Sequence, residues 1–171
     1  YAEFSSRPSA VPRVAENEHL IVLRTLSKAW AAAGLRCGTV IANPAVISLL
    51  RRVIAPYPLP SPVVALAMEA LDDRNRKRQS AMLDQVRQNK KRLIGMLDAR
   101  SFVREIFSGE ANFVLVRVDE AKDLLEYSAA QGVILRGFSD PALQDCIRIS
   151  VGSSTDLDRL DAALEDWENT R

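Results

Sequence analysis

The chain has 171 residues, and 23 Lys+Arg against 22 Asp+Glu leave a formal net charge of +1. Its 47% hydrophobic and 26% charged residues are the mix of a globular protein, which excludes a disordered tail, a collagen-like repeat and a strongly basic nucleic-acid module. Cys37 and Cys146 are too few for a disulfide framework and point to a reducing compartment. No apolar run approaches the ~20 residues of a membrane helix. The opening stretch is polar and contains prolines, unlike a secretory signal. It starts at Tyr1 without a Met, so the sequence is expected to begin inside a longer polypeptide.

Residues 1–18 read as loop, because Ser5, Ser6, Pro8, Ser9 and Pro12 break any period. His19 to Arg24 is a continuous apolar run of the kind buried inside parallel sheets. The polar turn Thr25-Leu26-Ser27-Lys28 follows, then small residues from Ala29 to Gly34 and a second predicted strand from Arg36 to Ala42. Asn43-Pro44 is a capping side chain before a first-turn proline and opens a helix to Val53. The loop from Ala55 to Pro60 holds three prolines, which suit neither a helix interior nor a central strand.

Ser61-Pro62 repeats the cap-plus-proline device. Met82, Val86, Leu93 and Leu97 then share one stripe of a long amphipathic helix ending near Ala99. The basic run Arg74 to Arg78 adjoins Asp72 and Asp73 and has no interleaved aromatics, so it reads as a solvated surface. Phe102 to Phe107 and Phe113 to Val118 read as paired strands about the turn Ser108-Gly109-Glu110. Asp119 can cap a helix to Gln131, which Gly132 ends. Val133 to Arg136 and Cys146 to Val151 are further predicted strands. Ser153 with Asp156 is an acidic variant of the capping box, opening a helix with Leu157, Leu160, Leu164 and Trp167 on one face. The fold class expected is α/β: the end of a larger domain over residues 1–58, then a small α+β domain over 59–171.

Chemistry is placed first at Thr25-Leu26-Ser27-Lys28, since ligands of open α/β sheets bind at strand carboxyl ends. Two hydroxyls and an amine there can address an anion or a carbonyl compound. A neutral lysine amine condenses with an aldehyde to a Schiff base, and the planar fork of Arg36 suits a phosphate. On the residues alone, a surface lysine is the commoner explanation. In the strand from Cys146 to Val151, alternation puts Ile147, Ile149 and Val151 on the core face and turns Arg148 away from it. His19, the only histidine, reads as solvent-exposed or capping, and one His with two distant Cys cannot assemble a zinc-like ligand set. Both cysteines read as small buried apolar residues, and Trp30 and Trp167 as packing residues.

Leu23-Arg24-Thr25-Leu26-Ser27-Lys28-Ala29-Trp30, followed by Ala33-Gly34-Leu35-Arg36-Cys37-Gly38, resembles the lysine region of fold-type I aminotransferases that use pyridoxal 5'-phosphate (PLP). Val53 to Leu59, Glu110-Ala111-Asn112-Phe113, Gly132 to Arg136 and Ile147 to Gly152 extend the resemblance, in order, to the histidinol-phosphate aminotransferase branch. The resemblance implies the C-terminal part of the PLP-binding large-domain sheet followed by a small α+β domain. It implies that Lys28 carries PLP as a Schiff base and moves the proton at the substrate Cα. Thr25, Ser27 and Arg36 would grip the PLP phosphate, and the Tyr1 hydroxyl would face the cofactor's phenolic oxygen. Arg148 would take the α-carboxylate of glutamate, and Arg136 the phosphate of histidinol phosphate. The implied enzyme is a cytoplasmic homodimer of histidine biosynthesis, with histidinol phosphate, glutamate and 2-oxoglutarate as small-molecule partners and neither nucleic acid nor membrane.

The resemblance also places the carboxylate partner of the pyridinium nitrogen ahead of Tyr1, so the isolated chain is expected to turn over negligibly. A threonine-phosphate decarboxylase would share Lys28 and Arg36, and a non-catalytic scaffold domain is the alternative of another class.

Overall fold

A computed structural model describes residues 1–170. Its chain folds into two compact units, Tyr1–Leu83 and Asp84–Arg171. In the first, β1 (Val22–Thr25) pairs antiparallel with β2 (Gly38–Ile41), Val22 facing Ile41 and Thr25 facing Gly38. The expectation of a buried strand is corrected here: β1 and β2 form a two-stranded hairpin, and Leu23 is 72% exposed. An apolar run is buried on both faces only where other elements cover both, and within this unit β1 has β2 as its one ladder partner. The second strand also starts later than expected, at Gly38. A Cβ there would lie 3.3 Å from the Arg24 carbonyl oxygen, so the missing side chain lets the strands close.

The segment before β1 contains two short 3-10 turns, Ala2–Phe4 and Val11–Ala15, with Phe4 buried. After β2, α1 (Pro44–Val53) starts as its sequence predicts: Asn43 Oδ1 accepts from the Ala45 N–H at 2.9 Å. The proline-rich stretch stays irregular, with Tyr57 94% exposed. α2 (Ser61–Ala70) is capped differently from expectation: Pro60 is the N-cap, Ser61 is already helical, and no side chain caps it. α3 (Asp73–Asp98) is the long amphipathic helix, with the basic run in its exposed first turns. No helix among the described residues is long and apolar enough to cross a membrane.

The second unit is built on an antiparallel sheet ordered β3 (Val103–Phe107), β4 (Phe113–Val118), β5 (Cys146–Ser150). Val114, Val116 and Val118 of β4, with Ile147 and Ile149 of β5, make one face of the core. Against them pack Leu93 and Leu97 of α3, Leu124 of α4 (Ala121–Ala130), and Leu157, Leu160, Leu164 and Trp167 of α5 (Ser154–Thr170). Phe102 is fully buried and meets Trp167 edge to face, ring centroids 4.7 Å apart. The Ser153 capping box forms as its sequence predicts: Asp156 Oδ2 accepts from Ser153 N–H at 2.8 Å, and Ser153 Oγ accepts from Asp156 N–H at 3.2 Å.

Two local expectations fail for tertiary reasons. Asp119 does not cap α4, because its carboxylate is held in a fork by Arg104 at 2.8 and 2.6 Å. Glu120 takes the N-cap position instead, at φ +52°. Val133 to Arg136 does not form a strand; only Arg136 pairs, through an isolated antiparallel bridge to Arg148. Gly132 ends α4 as expected, at φ +78°, a region open to glycine at no steric cost. Cys146 is buried, and burial pushes its thiol pKa up, with Asp145 adding to the effect. Cys37 is only half-buried.

Candidate functional site

The predicted functional residues fall into two groups, one in each unit. In the first, the ends of β1 and β2 are linked by residues 26–37, and main-chain bonds shape that connection. Leu26 N–H donates to the Cys37 carbonyl at 3.3 Å, Ala31 N–H to the Lys28 carbonyl at 3.0 Å, and Ala32 N–H to the Leu26 carbonyl at 3.1 Å. These bonds bring Thr25, Ser27 and the Arg36-Cys37 step together at the open end of the hairpin. Thr25 Oγ1 accepts from the Ser27 N–H at 3.1 Å and lies 2.8 Å from Ser27 Oγ. Arg36 is not part of the strand. It ends a 3-10 turn (Ala33–Leu35) at φ +50°, and Nη1 donates to the Ala33 carbonyl at 3.1 Å, leaving its other donors unspent on that turn. Ala31 has the same left-handed backbone, φ +50°.

Lys28 precedes both of these left-handed positions, and its side chain is exposed and makes no hydrogen bond or ion pair with any described residue. The hairpin alone does not enclose it. A cavity of about 610 Å³ lies on Trp30, Ala31 and Leu35 with residues of α2 and α3, and Thr25, Ser27, Lys28 and Arg36 do not line it. Tyr1 is 48% exposed beside Phe4. Its segment is tied to β1 by Arg24 Nη2 donating to Glu3 Oε1 at 2.6 Å. Burial raises the Glu3 pKa, but the bonds from Arg24 and the main chain outweigh it and hold the carboxyl below its ordinary value.

In the second unit, the sheet face opposite the core carries Phe113 and Leu115 from β4 and Arg148 from β5, with Leu115 directly across from Arg148. On the other side of β5, Arg136 and Arg148 exchange both main-chain bonds, at 3.2 and 2.8 Å. Residues paired in this way project to the same face, so two guanidinium groups share it. The Arg148 guanidinium carbon lies 5.4 Å from the Phe113 ring centroid, within cation–π range. Its Nε is buried without a hydrogen-bond partner. A like-charged cross-strand pair and an orphaned donor both cost free energy unless an anion is supplied. The sequence places Phe113 in a motif without a role; its place diagonal to Arg148, opposite Ser150, emerges only with the β4–β5 register.

Residues 1–165 match the family model described as "Aminotransferase class I and II". The histidinol-phosphate aminotransferase of Xylella fastidiosa (strain 9a5c) is 42% identical over 167 residues, 97% of this chain and 46% of the relative. That of Pectobacterium atrosepticum is 40% identical over 166 residues, 96% of this chain and 46% of the relative. The chain thus spans about half the length of the curated relatives it matches. Among solved structures, the histidinol-phosphate aminotransferase of Clostridium acetobutylicum superposes with a TM-score of 0.89 at 24% identity, covering 100% of this chain and 53% of that one. The L-threonine-O-3-phosphate decarboxylase of Porphyromonas gingivalis gives 0.86 at 19% identity, covering 99% and 53%. The Sinorhizobium meliloti histidinol-phosphate aminotransferase, solved with pyridoxal-5'-phosphate, gives 0.79 at 21% identity, covering 94% and 44%. These likenesses concern the fold; the sequence match decides the family. The chain belongs to the class I and II aminotransferases.

Proposed function

We propose that the protein containing this chain is a histidinol-phosphate aminotransferase, moving an amino group between glutamate and imidazole-acetol phosphate. The observation that carries the reading is the hairpin end: an exposed, unpaired Lys28 between two hydroxyls and a guanidinium. The family is PLP-dependent, and the chemistry of this donor set fits such a cofactor. Thr25, Ser27 and Arg36 supply hydroxyl and charge-assisted donors for a phosphate, and Lys28 supplies a primary amine for an aldehyde. When bound, PLP provides that aldehyde and a ring that takes up the electron pair released at the substrate carbon.

The chain's own residues do the rest. Lys28, once its amine is free, accepts and returns the proton at the substrate Cα. Arg36 and the two hydroxyls would hold the phosphate of the cofactor, and the Tyr1 hydroxyl would supply a hydrogen-bond donor to its phenolic oxygen. Arg148 binds the α-carboxylate of glutamate through its planar fork, and Arg136 beside it binds the phosphate of histidinol phosphate. The exposure of Lys28 and of Leu23 supports completion of the pocket by polypeptide outside this chain. The complete protein is a cytoplasmic homodimer in this reading.

Incubating the complete protein with PLP, reducing with borohydride and mapping peptides tests the assignment. A label confined to Lys28, with 2-oxoglutarate formed from glutamate, is expected. No label, or label scattered over surface lysines, overturns it; release of CO₂ from threonine phosphate without amino transfer would move the protein to the decarboxylases.

A further inference from the structure

A guanidinium reads a carboxylate with both prongs only if its plane is held before the ligand arrives. The Arg148 plane leans on Phe113, so the position of that ring matters. Phe113 is the first residue of β4 and follows the loop of residues 108–112, exposed over 108–110. On one side the β5 end secures this point: Val151 N–H donates to the Asn112 carbonyl at 2.9 Å. On the other, α3 reaches across. Lys90 Nζ donates to the Ala111 carbonyl at 2.7 Å and also to the Gly109 carbonyl. Its neighbour Asn89, buried, donates Nδ2 to the Gly152 carbonyl at 2.8 Å, just beyond β5.

Two successive α3 residues therefore fasten the two loops that flank Phe113 and Arg148. Lysine suits this task because one ammonium has three donors and can bridge two carbonyls that no ladder pairs. The group is partly withdrawn from water: burial lowers its pKa, opposed by Glu110.

We propose that Lys90 is a positioning residue for anion recognition: by clamping the Gly109 and Ala111 carbonyls it fixes Phe113 and, through that ring, the plane of the Arg148 guanidinium. The proposal rests on the reading that Arg148 receives the substrate carboxylate. A clamp that only supported the fold would lower stability and leave the arginine's surroundings and the glutamate KM alone.

The test compares Lys90→Met, Lys90→Arg and Arg148→Lys in the complete protein, by glutamate KM and kcat and by the Arg148 Nε–Hε resonance in ¹⁵N-arginine-labelled material. Lys90→Met is expected to raise KM roughly 10-fold with kcat within about twofold, since a small misplacement of an anchoring group weakens a geometric contact. It should also move the resonance toward that of an exposed arginine. Lys90→Arg should restore both within about threefold. If Arg148→Lys raises KM but Lys90→Met changes neither KM nor the resonance, the proposal fails while the reading stands. If Arg148→Lys leaves KM unchanged, the reading fails and the resonance decides alone: a shift in Lys90→Met supports the clamp, none overturns it. Should Lys90→Met not fold, Lys90→Gln, which retains a shorter donor, is put through the same readouts with the same criteria.

Discussion

Arg36 combines a strained backbone with the charge proposed to hold a phosphate, and replacing it by glycine separates the two effects. At φ +50° an L-residue is disfavoured by roughly 1–2 kcal/mol. Glycine removes that strain but costs about 0.5–1 kcal/mol in chain entropy. The variant also forfeits the 3.1 Å bond from Arg36 to the Ala33 carbonyl, worth about 0.5–1 kcal/mol net. These terms nearly cancel, so Arg36→Gly should unfold within about 1 kcal/mol of the parent. Its PLP affinity should fall much further. A charge-assisted hydrogen bond contributes about 1.5–3 kcal/mol, and tenfold in affinity is about 1.4 kcal/mol, so Kd should rise roughly 10- to 150-fold.

Ala31→Gly is the control. It relieves the same left-handed strain three residues after Lys28 with no donor lost from the side chain, so thermal unfolding should shift up by a few degrees with PLP affinity within about twofold. Spectrophotometric PLP titration of the complete protein, beside thermal melts, reads both variants. Equal PLP affinity in Arg36→Gly and the parent, or a comparable loss in Ala31→Gly, would refute the assignment of the phosphate contact to Arg36.

The second unit gives two further tests. Trp167 is 5% exposed against a fully buried Phe102, so Trp167→Ala should destabilise by about 3–5 kcal/mol; urea melts showing less than about 1 kcal/mol would mean that α5 is not seated on the sheet. Glu168 accepts from the Ser101 side chain and main-chain N–H and from Arg100, and these bonds hold its carboxyl below the usual carboxylate range. A lowered carboxylate pKa stabilises the fold above the unfolded value of about 4.3 and loses that contribution as pH falls through the lowered native value. Ser101→Ala should bring the Glu168 titration closer to 4.3 and flatten the acid side of the stability curve; a wild-type Glu168 titrating at the ordinary value by carbon-13 NMR would contradict the geometry.

What the sequence discloses depends on how far apart the interacting groups lie along it. The Leu157, Leu160, Leu164 and Trp167 stripe needs only helical period and hydrophobicity, and all four are buried. The Asn43 cap and the Ser153–Asp156 box act within two or three residues and both form. Asp119 has the right residue type for a cap, yet Arg104, fifteen residues earlier, claims its carboxylate. The run before Lys28 signals a strand by composition but not its antiparallel partner or its exposure, which depend on what covers it. Asn89 and Lys90 occupy helix positions that look merely polar; their partners at Gly152, Gly109 and Ala111 lie 63, 19 and 21 residues away. The lysine region was legible because its residues are contiguous. The Arg136–Arg148 pairing was not, because no short-range rule sets one arginine opposite another.

That pairing and the hairpin strain share a physical logic. A fold selected only for stability would place glycine at φ +50° and would not set two cations across a ladder with a buried Nε between water and any acceptor. Ala31, Arg36, Arg136 and Arg148 each break a local rule at positions where the surrounding main-chain bonds are well made. The Arg136–Arg148 cost is electrostatic and disappears when a carboxylate or phosphate arrives, so it converts into affinity for an anion. The backbone strain at Arg36 stays in place whether or not an anion is bound, and it holds the guanidinium where the hairpin opens. The two proposed anion sites, built on such different devices, can be tuned separately: a change at Arg36 should alter cofactor affinity and leave the glutamate KM alone once the cofactor is saturating, whereas a change at Arg148 should do the reverse.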